Sequence, residues 1–82
     1  MWHIVKGKVP YGAYKTRKEA LFHAPDVLDS LLKEEGLSID ERDEKIGIFM
    51  ANKGKFEIIV NDTFFYISHN MFDAWGRLKK VK

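Results

Sequence analysis

Between Lys45 and His69 apolar side chains fall at alternate positions in three short runs: Ile46, Ile48 and Met50, then Phe56, Ile58 and Val60, then Phe65 and Ile67. Alternation of this kind puts each run on one face of a strand. Asn52-Lys53-Gly54 and Asn61-Asp62 separate the runs and are residue types that tolerate a left-handed backbone in tight turns. The stretch predicts a three-stranded β-meander. Trp2 to Lys6 alternates in the same way and predicts a further strand that joins it. Val9-Pro10-Tyr11-Gly12 reads as a turn, and Ala13-Tyr14-Lys15 as a short extended piece running into a helix.

The periodicity then lengthens. Thr16 followed by Glu19 is a capping-box pair, in which the hydroxyl accepts from the Glu19 amide and the carboxylate reaches back to the Thr16 amide. A helix is predicted from Arg17, with Ala20, Leu21, Ala24, Leu28, Leu31 and Leu32 on its apolar stripe. Pro25 removes an amide donor and crowds the carbonyl of Leu21, which predicts a kink or a break into two helices there. Gly36 supplies the C-terminal cap, with Leu37 folding back onto the last turn. Ser38 to Glu44 carries five charges in seven residues and reads as an exposed connection. Met71, Trp75 and Leu78 are spaced for a short C-terminal helix that starts near Asn70.

These elements predict an α+β fold in a single compact domain over residues 1–82. Its sheet is a three- to four-stranded antiparallel meander packed with one long, Pro25-interrupted helix and a short C-terminal helix. The order of helix, three strands and helix is similar to that of the double-stranded-RNA-binding fold. That family begins its last helix on a basic cluster. Here the helix begins His69-Asn70-Met71 and the basic residues come at its end, so the resemblance stops at the order of elements.

With 82 residues the core can stabilise the chain by only a few kcal/mol, about 3–5. The chain has no cysteine, which excludes disulfides, thiolate metal sites and a cysteine nucleophile and suits a reducing cytoplasm. No apolar run is long enough for a membrane span or a signal peptide. The expectation is a soluble cytoplasmic protein without a membrane partner.

Net charge is +2, but its distribution is uneven. Residues 1–18 carry five cations and no acid, residues 19–44 carry nine acids against Lys33 and Arg42, and residues 45–82 carry seven cations against three acids. Solvated faces account for such blocks in most proteins. The functional alternative is a dipolar molecule with an acidic helix side and a basic rim.

Catalytic signatures are missing from this chain. His3, His23 and His69 share no HxH, HxxxH or HExxH spacing. No serine or threonine sits in a nucleophile elbow, and no Gly-rich loop is followed by Lys-Ser or Lys-Thr. The acidic pairs Glu34-Glu35, Asp40-Glu41 and Asp43-Glu44 are adjacent rather than convergent. His69, where the last strand gives way to the last helix, suits a capping role better than an acid–base one. The chain is expected to be no enzyme and to hold neither metal nor cofactor.

Binding remains. The meander is apolar on both faces, and one layer of helices covers only one of them. With the alternating runs taken into the core, Phe49, Ile59, Phe64 and Tyr66 are left as a patch on the open face, and such patches mark interfaces. The expected function is a small regulator or inhibitor that occupies a surface of a protein partner, as bacterial or phage-encoded proteins of this size do. The same patch could pair two copies as a homodimer. The alternative is an RNA or DNA binder, with Lys15, Arg17, Lys18, Arg77, Lys79 and Lys80 on phosphates and aromatic side chains on bases.

Overall fold

The structure, a computed structural model, describes residues 1–69. Its element order is β1 (Trp2–Lys6), β2 (Val9–Tyr14), α1 (Arg17–Glu34), α2 (Ile39–Ala51), β3 (Ile58–Val60) and β4 (Thr63–His69). The class is α+β, with a four-stranded sheet in the order β2-β1-β4-β3. Every neighbouring pair is antiparallel.

The sheet is two hairpins joined at their inner strands. In the first, Gly7 and Lys8 form a two-residue loop closed by the Lys6–Val9 pair, with Gly7 at φ 65°. A positive φ at the first loop residue is what a type II′ turn requires. In the second, Asn61 and Asp62 take φ 50° and 64° between the paired Val60 and Thr63. This is the turn their residue types predict. Trp2 pairs with His69 and Lys6 with Phe65, which makes β1 and β4 the centre of the sheet.

β2 corrects one expectation. The turn lies at Gly7-Lys8, and Val9–Tyr14 is a strand with Pro10 inside it. An edge strand accepts proline because one row of its amides has no ladder to join. The strand carries an irregularity opposite His3, where Gly12 adopts φ 70°. A Cβ at Gly12 would lie 2.6 Å from the Tyr14 hydroxyl oxygen, so the bulge needs glycine for space as well as for conformation.

α1 starts where Thr16 predicts: its hydroxyl accepts from the Glu19 amide at 3.1 Å. The Glu19 carboxylate reaches the Lys15 amide rather than that of Thr16. The helix runs 18 residues through Pro25 without a break. It ends in a Schellman motif, with Gly36 at φ 86° donating to the Lys33 carbonyl and Leu37 donating to Leu32. All the predicted stripe positions face the core, with Leu21 half-buried.

The second helix is the main correction. Ile46–Met50, predicted as a strand, lies in α2, and the predicted connection Ser38–Glu44 is the start of that helix. Ser38 and Glu41 form a full capping box: the hydroxyl accepts from the Glu41 amide at 3.2 Å and the carboxylate accepts from the Ser38 amide at 3.0 Å. Within Asn52-Lys53-Gly54 the backbone is left-handed at Lys53 and Gly54, with Asn52 as the C-cap at φ −91°, yet the turn closes a helix and not a hairpin. Lys53 donates to the Met50 carbonyl and Gly54 to that of Phe49. The expected C-terminal helix lies outside the described residues.

Both described helices pack on one sheet face. Ala24, Leu28, Leu31 and Leu32 of α1 and Phe49 of α2 meet Ile4, Ile58, Val60 and Phe65, with Ile46, Met50 and Ile67 partly buried against them. Arg42 ties the helices together, binding the Asp29 carboxylate at 2.8 Å and the Leu37 carbonyl at 2.8 Å. Lys6 pairs with Glu35 at 3.3 Å, and the Asn61 amide donates to the Glu35 carbonyl at 3.1 Å. These contacts set the C-terminal end of α1 over the sheet end that carries the two hairpin turns. At the opposite end Arg17 donates to the carbonyl of Lys53, so α2 returns antiparallel to α1.

Candidate interaction surface

Because side chains alternate along a strand, the face away from α1 and α2 carries His3 and Val5 from β1, Phe64, Tyr66 and Ser68 from β4, and Ile59 from β3. It has two parts. His3 and Val5, at the centre, are buried. Toward β3 the face is open: Ile59 is 54% exposed and Phe64 45%, and the register sets them directly opposite each other. Side chains so paired are nearest neighbours across the ladder and present a single apolar surface.

Tyr66 extends this pair toward β1. It is half-buried, and its hydroxyl donates to the Gly7 carbonyl at 3.0 Å, which fixes the ring. Gly7, Lys8, Glu57, Phe64 and Tyr66 line an open recess of about 350 Å³. An aromatic wall with one cation and one carboxylate at its rim is suited to an apolar side chain flanked by polar groups.

Of the four residues expected on the open face, the structure brings together Ile59, Phe64 and Tyr66. Phe49 is not with them: it lies on α2, fully buried between the helices and the sheet. Once Ile46–Ala51 is helical, Phe49 falls with Ile46 and Met50 on one helix stripe, at i, i+3 and i+4, facing the core. Lys8 and Glu57 were not singled out by sequence. Their place beside Phe64 follows from the β1–β2 turn and the approach to β3, which alternation alone does not reveal.

The histidines are dispersed. His3 is buried, and its Nδ1 lies 2.7 Å from the Gly12 carbonyl oxygen. A carbonyl only accepts, so Nδ1 carries the proton of that bond. His23 is exposed and stacks on Tyr14 at 5.0 Å, and His69 stacks on Trp2 at 4.5 Å. Among the described residues no three His, Cys, Asp or Glu side chains are grouped to hold a metal ion. Nor is any described helix long and apolar enough to cross a membrane.

The expected nucleic-acid residues divide. Lys15, Arg17 and Lys18 stand at the start of α1, Lys15 and Lys18 exposed and Arg17 half-buried. Arg77, Lys79 and Lys80 lie outside the described residues. The Arg17 bond to Lys53 places the start of α1 beside Lys53 and Lys55, two exposed cations that belong to a different stretch of sequence. At the other end of the helix pair stand Glu34, Glu35, Asp40, Glu41, Asp43 and Glu44. The acidic block thus gathers at one end of the helical layer, where Lys6 meets it through Glu35, and Lys15 to Lys18 with Lys53 and Lys55 stand at the other.

No protein-family model matches this chain, and no curated protein or solved structure matches it.

Proposed function

We propose that the chain is a small non-catalytic binding protein that regulates or inhibits a protein partner by occupying part of its surface. The observation that supports this reading is the opposed, exposed pair Ile59 and Phe64 beside the fixed ring of Tyr66. Two large apolar side chains in register on an uncovered part of a sheet are what a partner can desolvate, and aromatic residues in such settings dominate interface energetics. The cysteine-free sequence suits action in the reducing cytoplasm.

The test compares the tagged wild-type chain with an Ile59→Asp/Phe64→Ala variant in affinity capture from cell extract. Each captured protein is then purified and titrated against both forms. A partner bound by the wild type and weakened at least tenfold in the variant, about 1.4 kcal/mol, supports the reading. A partner set that the double substitution leaves unchanged sinks it. Light scattering on the isolated chain gives the remaining outcome: a dimer abolished by the same substitutions makes a second copy the partner.

A further inference from the structure

At the end of the helical layer where α1 begins and α2 finishes, the fold joins two cationic stretches 36 residues apart through the Arg17 to Lys53 hydrogen bond. Lys18, Lys53 and Lys55 are exposed there. Two of the most exposed aromatic rings among the described residues stand beside these cations: Phe22 at 79% and Phe56 at 64%. Phe22 follows Lys18 by four residues on the same helix, which puts both side chains on one surface strip. Phe56 lines an open recess of about 350 Å³ together with Ala51, Asn52, Lys53 and Lys55. Of the carboxylates nearest in sequence, that of Glu19 is held by the Lys15 amide, and Glu57, exposed next to Phe56, lines the other recess with Lys8, Phe64 and Tyr66.

We infer that this basic end binds single-stranded nucleic acid, with Arg17, Lys18, Lys53 and Lys55 on phosphates and Phe56 and Phe22 as stacking platforms for bases. The surface is separate from the Ile59–Phe64 pair, and the inference stands or falls independently of the protein-binding reading. Cations alone would serve any polyanion. Exposed aromatic rings beside cations are matched by a chain in which phosphates alternate with flat apolar faces, and only an unpaired strand offers those faces. A duplex hides its bases in the stack, and an acidic peptide leaves the rings without a counterpart. Lys53 and Lys55 thus replace the C-terminal lysines as the partners of Lys15, Arg17 and Lys18.

The experiment is fluorescence anisotropy of labelled oligo(dT) and oligo(U), about 20 nucleotides long, titrated with the full chain between about 50 and 200 mM salt. Log affinity is expected to fall with log salt at a slope of about −3, the value for roughly four phosphate contacts on a single strand. Lys53→Glu/Lys55→Glu should weaken binding at least about tenfold. Phe56→Ala should weaken single-strand binding roughly tenfold while leaving the weaker duplex binding unchanged. All three positions are exposed, and unchanged circular dichroism confirms that the variants fold.

Absence of binding at the lowest salt overturns the inference. So does affinity that survives Lys53→Glu/Lys55→Glu but is lost in Lys79→Gln/Lys80→Gln, which would move the site to the C-terminal residues. Equal affinity for polyglutamate, insensitive to Phe56→Ala, also overturns it and makes the basic end a site for acidic protein.

Discussion

Arg17 donates a guanidinium hydrogen bond to the backbone carbonyl of Lys53, so the first residue of α1 holds the turn that follows the C-cap of α2. A cation there satisfies a turn carbonyl just past the helix and opposes the negative pole of α2. Arg17→Met keeps most of the stem and removes the bond. It should lower stability by about 1 kcal/mol, read from the midpoint of urea denaturation, and Arg17→Lys should recover part of the loss. An unchanged midpoint in Arg17→Met would mean that water serves the Lys53 carbonyl equally well.

Gly54 and Gly36 both stand past helix ends with positive φ, but only Gly54 is enclosed. A Cβ there would lie 2.8 Å from Ile67 Cδ1, 3.2 Å from Phe49 Cζ and 3.3 Å from Leu21 Cδ2, whereas one at Gly36 meets nothing within 4 Å. Gly36→Ala should cost about 1 kcal/mol, the conformational penalty alone. Gly54→Ala adds overpacking and should cost about 2–4 kcal/mol, enough to leave a chain of this size largely unfolded. Paired denaturation curves decide, and equal losses would show that the core relaxes around the added methyl.

Phe49 and Phe64 separate stability from binding. Phe49→Ala opens the core between α2 and the sheet and should cost about 3–5 kcal/mol. Phe64→Ala removes an exposed ring and should change stability by no more than about 0.5 kcal/mol while weakening the protein partner. A stability loss at Phe64 as large as that at Phe49 would make the ring a packing residue.

The Ser38–Glu41 box carries a pH signature. The Ser38 amide, and after it the Ser38 hydroxyl, hydrogen-bonds the Glu41 carboxylate and lowers its pKa. A carboxyl with a folded pKa below its unfolded value stabilises the fold at neutral pH, and that contribution is lost as pH falls through the folded pKa. Glu41→Gln keeps an acceptor that does not titrate. The thermal midpoint of the wild type should therefore fall relative to that of Glu41→Gln on acidification through the carboxylate range, and parallel curves would refute the linkage. Ser38→Ala should cost about 1 kcal/mol at neutral pH.

Pro25 leaves the Leu21 carbonyl without its helical donor in the middle of α1. Pro25→Ala restores the bond and should raise stability by about 1 kcal/mol or more. A loss would show that the half-buried pyrrolidine ring contributes more by packing than the helix loses in hydrogen bonding.

The parts of the fold legible in sequence are those whose chemistry is local. Thr16, Gly36 and the Asn61-Asp62 turn each satisfy or re-aim the backbone within a few residues, and the core stripe of α1 is long enough for its period to be unambiguous. Ile46–Met50 is not. Five residues with isoleucines at alternate positions fit a strand, and Ile46, Phe49 and Met50 fit a helix equally well. The arbiter lies upstream: Ser38 and Glu41 have the same spacing as Thr16 and Glu19, and their capping box starts a helix that carries through the apolar run. That choice also decided the surface, since it sent Phe49 inward while Ile59, Phe64 and Tyr66 kept their shared face. The gathering of Lys53 and Lys55 beside Arg17 depends on the antiparallel return of α2, a tertiary fact with no local signal.

The pairing of β1 with β4 sets the timetable of folding. Each hairpin and the helix pair close over short stretches of chain, but the middle of the sheet joins Trp2 to His69, the first and last positions of the ladder. During synthesis the β1–β2 hairpin must wait, with the inner edge of β1 unpaired, until β4 has left the ribosome. Closing so long a loop comes late and is slow. A product truncated before Thr63 would lack a central strand rather than an edge, leaving β1 open to pair with whatever extended chain it meets.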